Sequence, residues 1–283
     1  KLKKRVKYKP VGDGYQRDVI ADSGYMFDWV WRGCEIMHEA LTDLHGRNFS
    51  PTWNRPAILI HRMHAHANGG KYHSLFVDNL YSKADLFLCA LDRWDTYCTG
   101  TARLNYGDIP APVMQKYSEA KSVKFEDGSP ALILNCASEG NKISAVSFID
   151  RAAVYMLSTK YHSVDTVTKT RLVWDAAEGK KREQTYRRLI ANEAYNYHMG
   201  GVDICDQLRW YYDPNTKTMR VRKWWHVIWL ANLSQKCCNA YLIYKVLADV
   251  DRAAIAARLL EEDKAASVAA AHARAGVRHL VRA

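Results

Sequence analysis

Asp22 and Asp78 each close a run of strand-forming residues, and Asp203 and Asp206 stand three apart in a helical stretch. A spacing of three puts the last two on one helix face. Carboxylates that converge from strand ends and a helix are oxygen-only donors, which Mg²⁺ takes while keeping room for water and substrate phosphates. Two such ions about 3.5–4 Å apart suit phosphodiester chemistry, one activating the attacking water or hydroxyl and the other stabilising the leaving oxygen. Asp22-Ser23-Gly24 and Asp78-Asn79 are also ordinary turn-forming sequences. The residues alone leave both readings open.

Periodicity supplies the elements that must position these carboxylates. YQRDVIADSGYMFDWVW reads as a hairpin-like strand pair broken at Ser23-Gly24. Pro56 suits a first helical position, and AILIHRMHAHA continues a helix up to Asn68-Gly69-Gly70. The strand YHSLFVD follows. Ser82 with Asp85 then resembles a capping box for a helix through LFLCALDRW, and YCTGTARLN is another strand. This is a mixed α/β order. The expected divisions are a basic N-terminal segment at 1–15, the first part of the core at 16–106 and a β-rich insertion at 107–186. A helical second part of the core at 187–248 and an Ala/Arg-rich helical tail at 249–283 complete the chain. In the insertion, Pro110, Pro112, Gly128 and Pro130 separate short runs such as SVKF, ALILN, ISAVSFI and AAVYMLST.

Charge and composition narrow the partners. Lys+Arg number 41 against 30 Asp+Glu, a net charge of +11 that favours polyanions, nucleic acid first. A hydrophobic content of 48% over 283 residues is ample for a packed core. No stretch approaches about eighteen consecutive apolar residues, so a helical membrane span is excluded. Seven scattered cysteines with no Cys-x-x-Cys pair read as reduced thiols in an intracellular compartment. The start at Lys1, with no apolar signal region, reads as a piece of a longer polypeptide.

Several strings, in order from Lys9 to Tyr244, carry a resemblance: KP with a nearby Gly, ADSGY, FVDNLYS, GTARLN, YMLST, YNYHMGGVDICDQ, then KWW with NAYLIY. With them the chain resembles the catalytic region of the piggyBac transposase family and its domesticated relatives. The resemblance implies an RNase H-like core of the DDE/D transposase/integrase kind, with a β-rich insertion. It implies that Asp22, Asp78 and Asp203 are catalytic and hold two Mg²⁺ or Mn²⁺ ions, with Asp206 a fourth required aspartate. It also implies work in the nucleus, as a homodimer on double-stranded DNA. The element's ends would be cut through hairpin intermediates and the element inserted at TTAA. Family members often carry a cysteine-rich zinc-binding domain near the C terminus. The stretch after Ala248 has His272 and His279 but no cysteine, so no cross-brace zinc site can be built from it.

Arg103, Lys217, Arg220, Arg222 and Lys223 are candidate DNA contacts, and a solvated helix face is the plainer role for the last four. Lys180, Lys181, Arg182, Arg187 and Arg188 form a second basic cluster. Trp210, Trp224, Trp225 and Trp229 could stack on unpaired bases, but core packing is expected of aromatics at helical spacing. His61, His64, His66 and His73 read as surface or half-buried side chains rather than metal ligands, because helical spacing spreads the first three over different faces. The rivals are a catalytically silent transposase-derived DNA-binding protein and, by fold analogy, a nuclease acting on RNA–DNA hybrids.

Overall fold

The computed structural model describes residues 3–5, 13–33, 39–66, 73–103, 108–110, 113, 134–138, 140, 142–149, 153–162, 165–175, 178–211 and 223–280. The chain divides into two compact units, Lys1–Asp206 and Gln207–Ala283.

The first unit opens with the short antiparallel pair β1 (Lys3–Arg5) and β2 (Asp13–Tyr15). The expected hairpin follows as β3 (Arg17–Asp22) and β4 (Tyr25–Trp31). Ser23 and Gly24 turn it with φ of 50° and 90°, the left-handed geometry that a two-residue hairpin loop demands. Helix α1 (Pro51–His66) starts earlier than the sequence reading placed it. The Ser50 carbonyl accepts the N–H groups of Trp53 and Asn54, so Pro51 is the first helical residue and Pro56 lies inside the helix. Both prolines fit a helix start, but only Pro51 follows a residue able to cap.

Strand β5 (His73–Val77), helix α2 (Ala84–Trp94) and strand β6 (Thr96–Thr101) form a βαβ unit with parallel strands. The capping box at its start does not form. Lys83 is the N-cap residue and makes no side-chain cap bond, while the Ser82 hydroxyl donates to the Asp78 carbonyl at 3.4 Å. The turn after β5 claims that hydroxyl before the helix can.

Strands β7 (Leu134–Ser138), β8 (Ile143–Ile149) and β9 (Ala153–Ser158) lie in the segment read as an insertion. They extend the same sheet, in the order β5-β6-β9-β8-β7. The β6–β9 seam is stitched by side chains. Thr99 and Ser158 hydroxyls meet at 2.8 Å, and the Thr159 hydroxyl accepts the Cys98 N–H at 2.9 Å. The SVKF run lies outside the described residues.

Alternation along β8 and β9 shows that both sheet faces are covered. Ala145, Tyr155 and Leu157 join Leu86, Phe87, Cys89 and Ala90 of α2 and Ala57 and Ile60 of α1. Val146 and Met156 point the other way, into a cluster with Leu189, Ala191 and Tyr195. A smaller cluster of Val30, Ile58 and Leu59 seats α1 on the β3–β4 hairpin.

The long antiparallel ribbon β10 (Thr166–Asp175) and β11 (Lys180–Leu189) forms a sheet of its own. It runs into α3 (Ile190–His198), and α4 (Gly201–Tyr211) follows after two residues. In the second unit α5 spans Trp224–Leu280, so the Ala-rich tail continues the aromatic stretch as one helix. Trp210, Trp225 and Trp229 are 61%, 47% and 56% exposed, so the core packing expected of them does not occur. Among the described side chains of α5 the buried ones are Leu230, Ser234, Gln235 and Cys238, a narrow stripe that leaves Trp225 and Trp229 on other faces. The side chain of Trp224 lies outside the described residues.

Candidate active site

Asp22 ends β3 at the hairpin turn, with its side chain in solvent and one carboxylate oxygen accepting the Ser23 hydroxyl at 3.0 Å. The turn-forming role recognised in the sequence is thus in use, and the charge still faces outward. Asp78 is the first residue beyond β5 and is also exposed. Its carboxylate accepts the Asn79 N–H at 2.6 Å and its carbonyl accepts the Tyr81 N–H at 2.9 Å, which fixes the turn. Arg103 donates from Nε and Nη2 to Asn79 Oδ1, at 3.0 and 2.8 Å, and so stands one residue from Asp78. Beneath the turn lies Gly100. A Cβ there would meet the Val77 carbonyl at 2.7 Å and overlap the Ser82 hydroxyl, which explains the glycine of GTARLN.

The corner between α3 and α4 touches both strand ends. His198 stacks on Phe76, two residues before Asp78, with ring centroids 4.6 Å apart. Three residues later, a Cβ on Gly201 would lie 2.8 Å from the Ala21 carbonyl and 3.4 Å from Asp22 Cα. Only glycine lets the start of α4 sit on the end of β3. Asp203 is exposed in the first turn of α4, where the helix dipole favours a carboxylate. Asp206 lies one turn further on and is also exposed. Tyr195 of α3 feels Asp78 as well. Burial raises its phenol pKa, a hydrogen bond with Thr101 pulls it back, and the charge of Asp78 raises it again.

A buried ionic network ties the start of β3 to α1 and to the turn after β5, and reading the sequence missed it. Asp18, four residues before Asp22, is 4% exposed. It accepts from Arg55 Nε of α1 at 2.5 Å, from Arg32 Nε at 2.6 Å and from the Tyr81 hydroxyl at 2.6 Å. Arg32 Nη2 also donates to the Tyr81 oxygen at 2.5 Å. Burial opposes the charge on Arg32, but the charges and hydrogen bonds of Asp18 and Tyr81 together outweigh it and the guanidinium pKa is raised. Burial first, then the Asp18 charge, raises the Tyr81 phenol pKa. The available signal was an acidic residue at an inward position of a strand, with partners 14, 37 and 63 residues away.

Oxygen-only donors fit a hard divalent ion in kind. They are not gathered around one. Among the described residues no three His, Cys, Asp or Glu side chains share a metal-sized site. His61 packs against Trp94 with centroids 5.9 Å apart, and His64 Nδ1 and His73 Nε2 are buried without a hydrogen-bond partner. Lys217, Arg220 and Arg222 lie outside the described residues, and Lys223 is exposed just before α5.

A covered mixed sheet with acidic residues at two strand ends and a helix corner spanning them is the frame of an RNase H-like core. Residues 5–241 match the model of the Transposase IS4 family, and the chain belongs to that family. Its fold is similar to that of a piggyBac transposase, solved by cryo-EM as a synaptic complex with hairpin DNA, at a TM-score of 0.55 and 16% identity. The match covers 86% of this chain and 43% of that one, so the chain spans less than half the length of the solved transposase. No curated protein matches the chain.

Proposed function

We propose that the chain is the catalytic region of a piggyBac-type DNA transposase that cuts element ends and joins them to TTAA targets with the help of Mg²⁺ or Mn²⁺. The observation that carries this reading is the α3–α4 corner, seated on Phe76 through His198 and on Ala21–Asp22 through Gly201. It brings the helix bearing Asp203 and Asp206 to the strands bearing Asp22 and Asp78. Asp22, Asp78 and Asp203 would hold the ions, which when bound supply a Lewis acid at the scissile phosphate. Asp206 supports the same helix face. Arg103, held on Asn79, presents its guanidinium beside Asp78 for phosphate contact. The partner is double-stranded DNA, the working unit a homodimer and the compartment the nucleus.

Isothermal titration of Mn²⁺, run beside nicking of a TTAA-containing duplex, tests the reading. Asp78→Asn and Asp203→Asn are expected to weaken Mn²⁺ binding at least tenfold and to abolish nicking, with thermal melting unchanged. Nicking that persists in purified Asp78→Asn protein would refute the assignment.

A further inference from the structure

The β10–β11 ribbon concentrates charge in a way that the candidate site does not use. Between Thr166 and Leu189 the sequence places seven Lys and Arg residues against three Asp and Glu. The strands pair without a break from Thr166↔Leu189 to Asp175↔Lys180. Ten residues at about 3.3 Å each give a reach of about 33 Å, close to one turn of B-form DNA. A two-stranded ribbon also fits the major groove, about 12 Å wide.

Charges at the root and at the tip are differently engaged. At the root, Lys169 and Arg188 reach Glu193 of α3 at 2.6 and 3.3 Å, so these cations anchor the ribbon. At the tip, Lys180, Lys181 and Arg182 follow one another on β11 and all are exposed. Lys180 pairs with Glu178 at 2.9 Å and Arg182 with Asp175 at 3.7 Å, solvent-facing pairs that a phosphate displaces at little cost. Directly across from Lys181 stands Trp174, 62% exposed, and Leu172 on the same face is 65% exposed. Thr168, Thr170 and Thr185 continue that face as exposed hydroxyl-bearing side chains. Across the ribbon, Lys181 and Arg187 share this face with Trp174, Glu183 stands opposite Leu172, and Arg182, paired with Val173, is on the other face. Apolar groups flanked by cations and hydroxyls match a duplex, whose phosphates take the charges while base and sugar edges take the apolar contacts.

Position agrees with this. The ribbon leaves the body at α3, the helix that carries Tyr195 beside Asp78 and His198 on Phe76. We infer that the ribbon is a DNA-gripping arm, in which Lys181 and Arg182 hold phosphates and Trp174 packs into the groove of duplex DNA next to the candidate carboxylates. The inference rests on the reading of DNA as the substrate.

Fluorescence anisotropy of a 30-base-pair duplex with the full chain, over a series of KCl concentrations, tests it. Lys181→Ala with Arg182→Ala is expected to lower affinity about tenfold and to flatten the slope of log K against log salt by about 1–2, the signature of one or two lost phosphate contacts. Trp174→Ala is expected to lower affinity about fivefold and leave the slope unchanged, as a stacking or packing contact does. Wild-type protein that binds while all variants match it in affinity and slope overturns the arm and leaves the transposase reading standing. Wild-type protein that fails to bind duplex overturns that reading and the arm with it. If Trp174→Ala abolishes self-association while DNA affinity stays constant, the ribbon is a protein contact and the inference falls.

Discussion

Asp18 and Asp22 share a strand and have opposite fates, one buried among two arginines and a phenol, the other in solvent at a turn. Breaking a buried ion pair leaves charge without compensation. Asp18→Asn is therefore expected to cost about 3–5 kcal/mol in urea unfolding. Tyr81→Phe, which removes one hydroxyl from the network, should cost about 1–2 kcal/mol. Equal stability of Asp18→Asn and wild type would show that the network holds nothing. Asp22→Asn separates that residue's two roles, because Asn serves a turn as well as Asp but carries no charge. Loss of nicking with unchanged melting is expected. Retained nicking would make Asp22 a turn residue only. At this scale the exposed aspartates could be read from the sequence because strand ends and helix spacing are local patterns. Asp18 could not, since its meaning depends on Arg32, Arg55 and Tyr81, none of them a sequence neighbour.

The motif strings mark where elements touch as much as where chemistry happens. Gly100 and Gly201 are glycine because a neighbouring backbone carbonyl occupies the place of a Cβ. Gly201→Ala is expected to lower stability by about 1–3 kcal/mol despite the better helix propensity of alanine, because the Ala21 backbone cannot yield. Gly200 meets nothing closer than the Ile204 methyl at 4.0 Å, so Gly200→Ala is the neutral control. Thermal melting of the pair decides it, and an equal effect at both positions would remove the close-approach explanation. The root of the ribbon responds to pH. The hydrogen bond from Lys169, joined by Arg188, holds the Glu193 carboxyl below its ordinary value of 4.5. A depressed acid stabilises the folded form above its unfolded pKa and loses that contribution as pH falls through the folded pKa. Hydrogen exchange at the base of β10 and β11, corrected for intrinsic rates, should accelerate below about pH 4.5, and Glu193→Gln should remove the dependence. Among the elements, the hairpin, the first two helices and the strands on either side of α2 were legible from periodicity, though not that those strands run parallel. The start of α1 and the cap of α2 were not, because two prolines competed for one role and the Asp78 turn took the serine.

A net charge of +11 over the whole chain makes any DNA affinity salt-sensitive. Between 50 and 200 mM KCl the duplex affinity is expected to fall by at least tenfold, and a salt-independent Kd would show that phosphates are not the main contact. Sedimentation at micromolar concentration should give the mass of a dimer; a 32.4 kDa species would sink the homodimer. The α/β class and membership of a transposase family were legible in the order of short strings. The sheet's extent was not, since nothing in AAVYMLST says that it pairs with the strand of YCTGT, about fifty residues earlier. That pairing governs synthesis too. The open edge of β6, with Thr99 awaiting Ser158, emerges from the ribosome about fifty residues ahead of its partner. At about 5–20 residues per second the edge stays bare for about 3–10 s. During that interval a half-made sheet can template a neighbouring nascent chain, and slower translation across 102–152 should lower soluble yield more than the same slowing after Leu189.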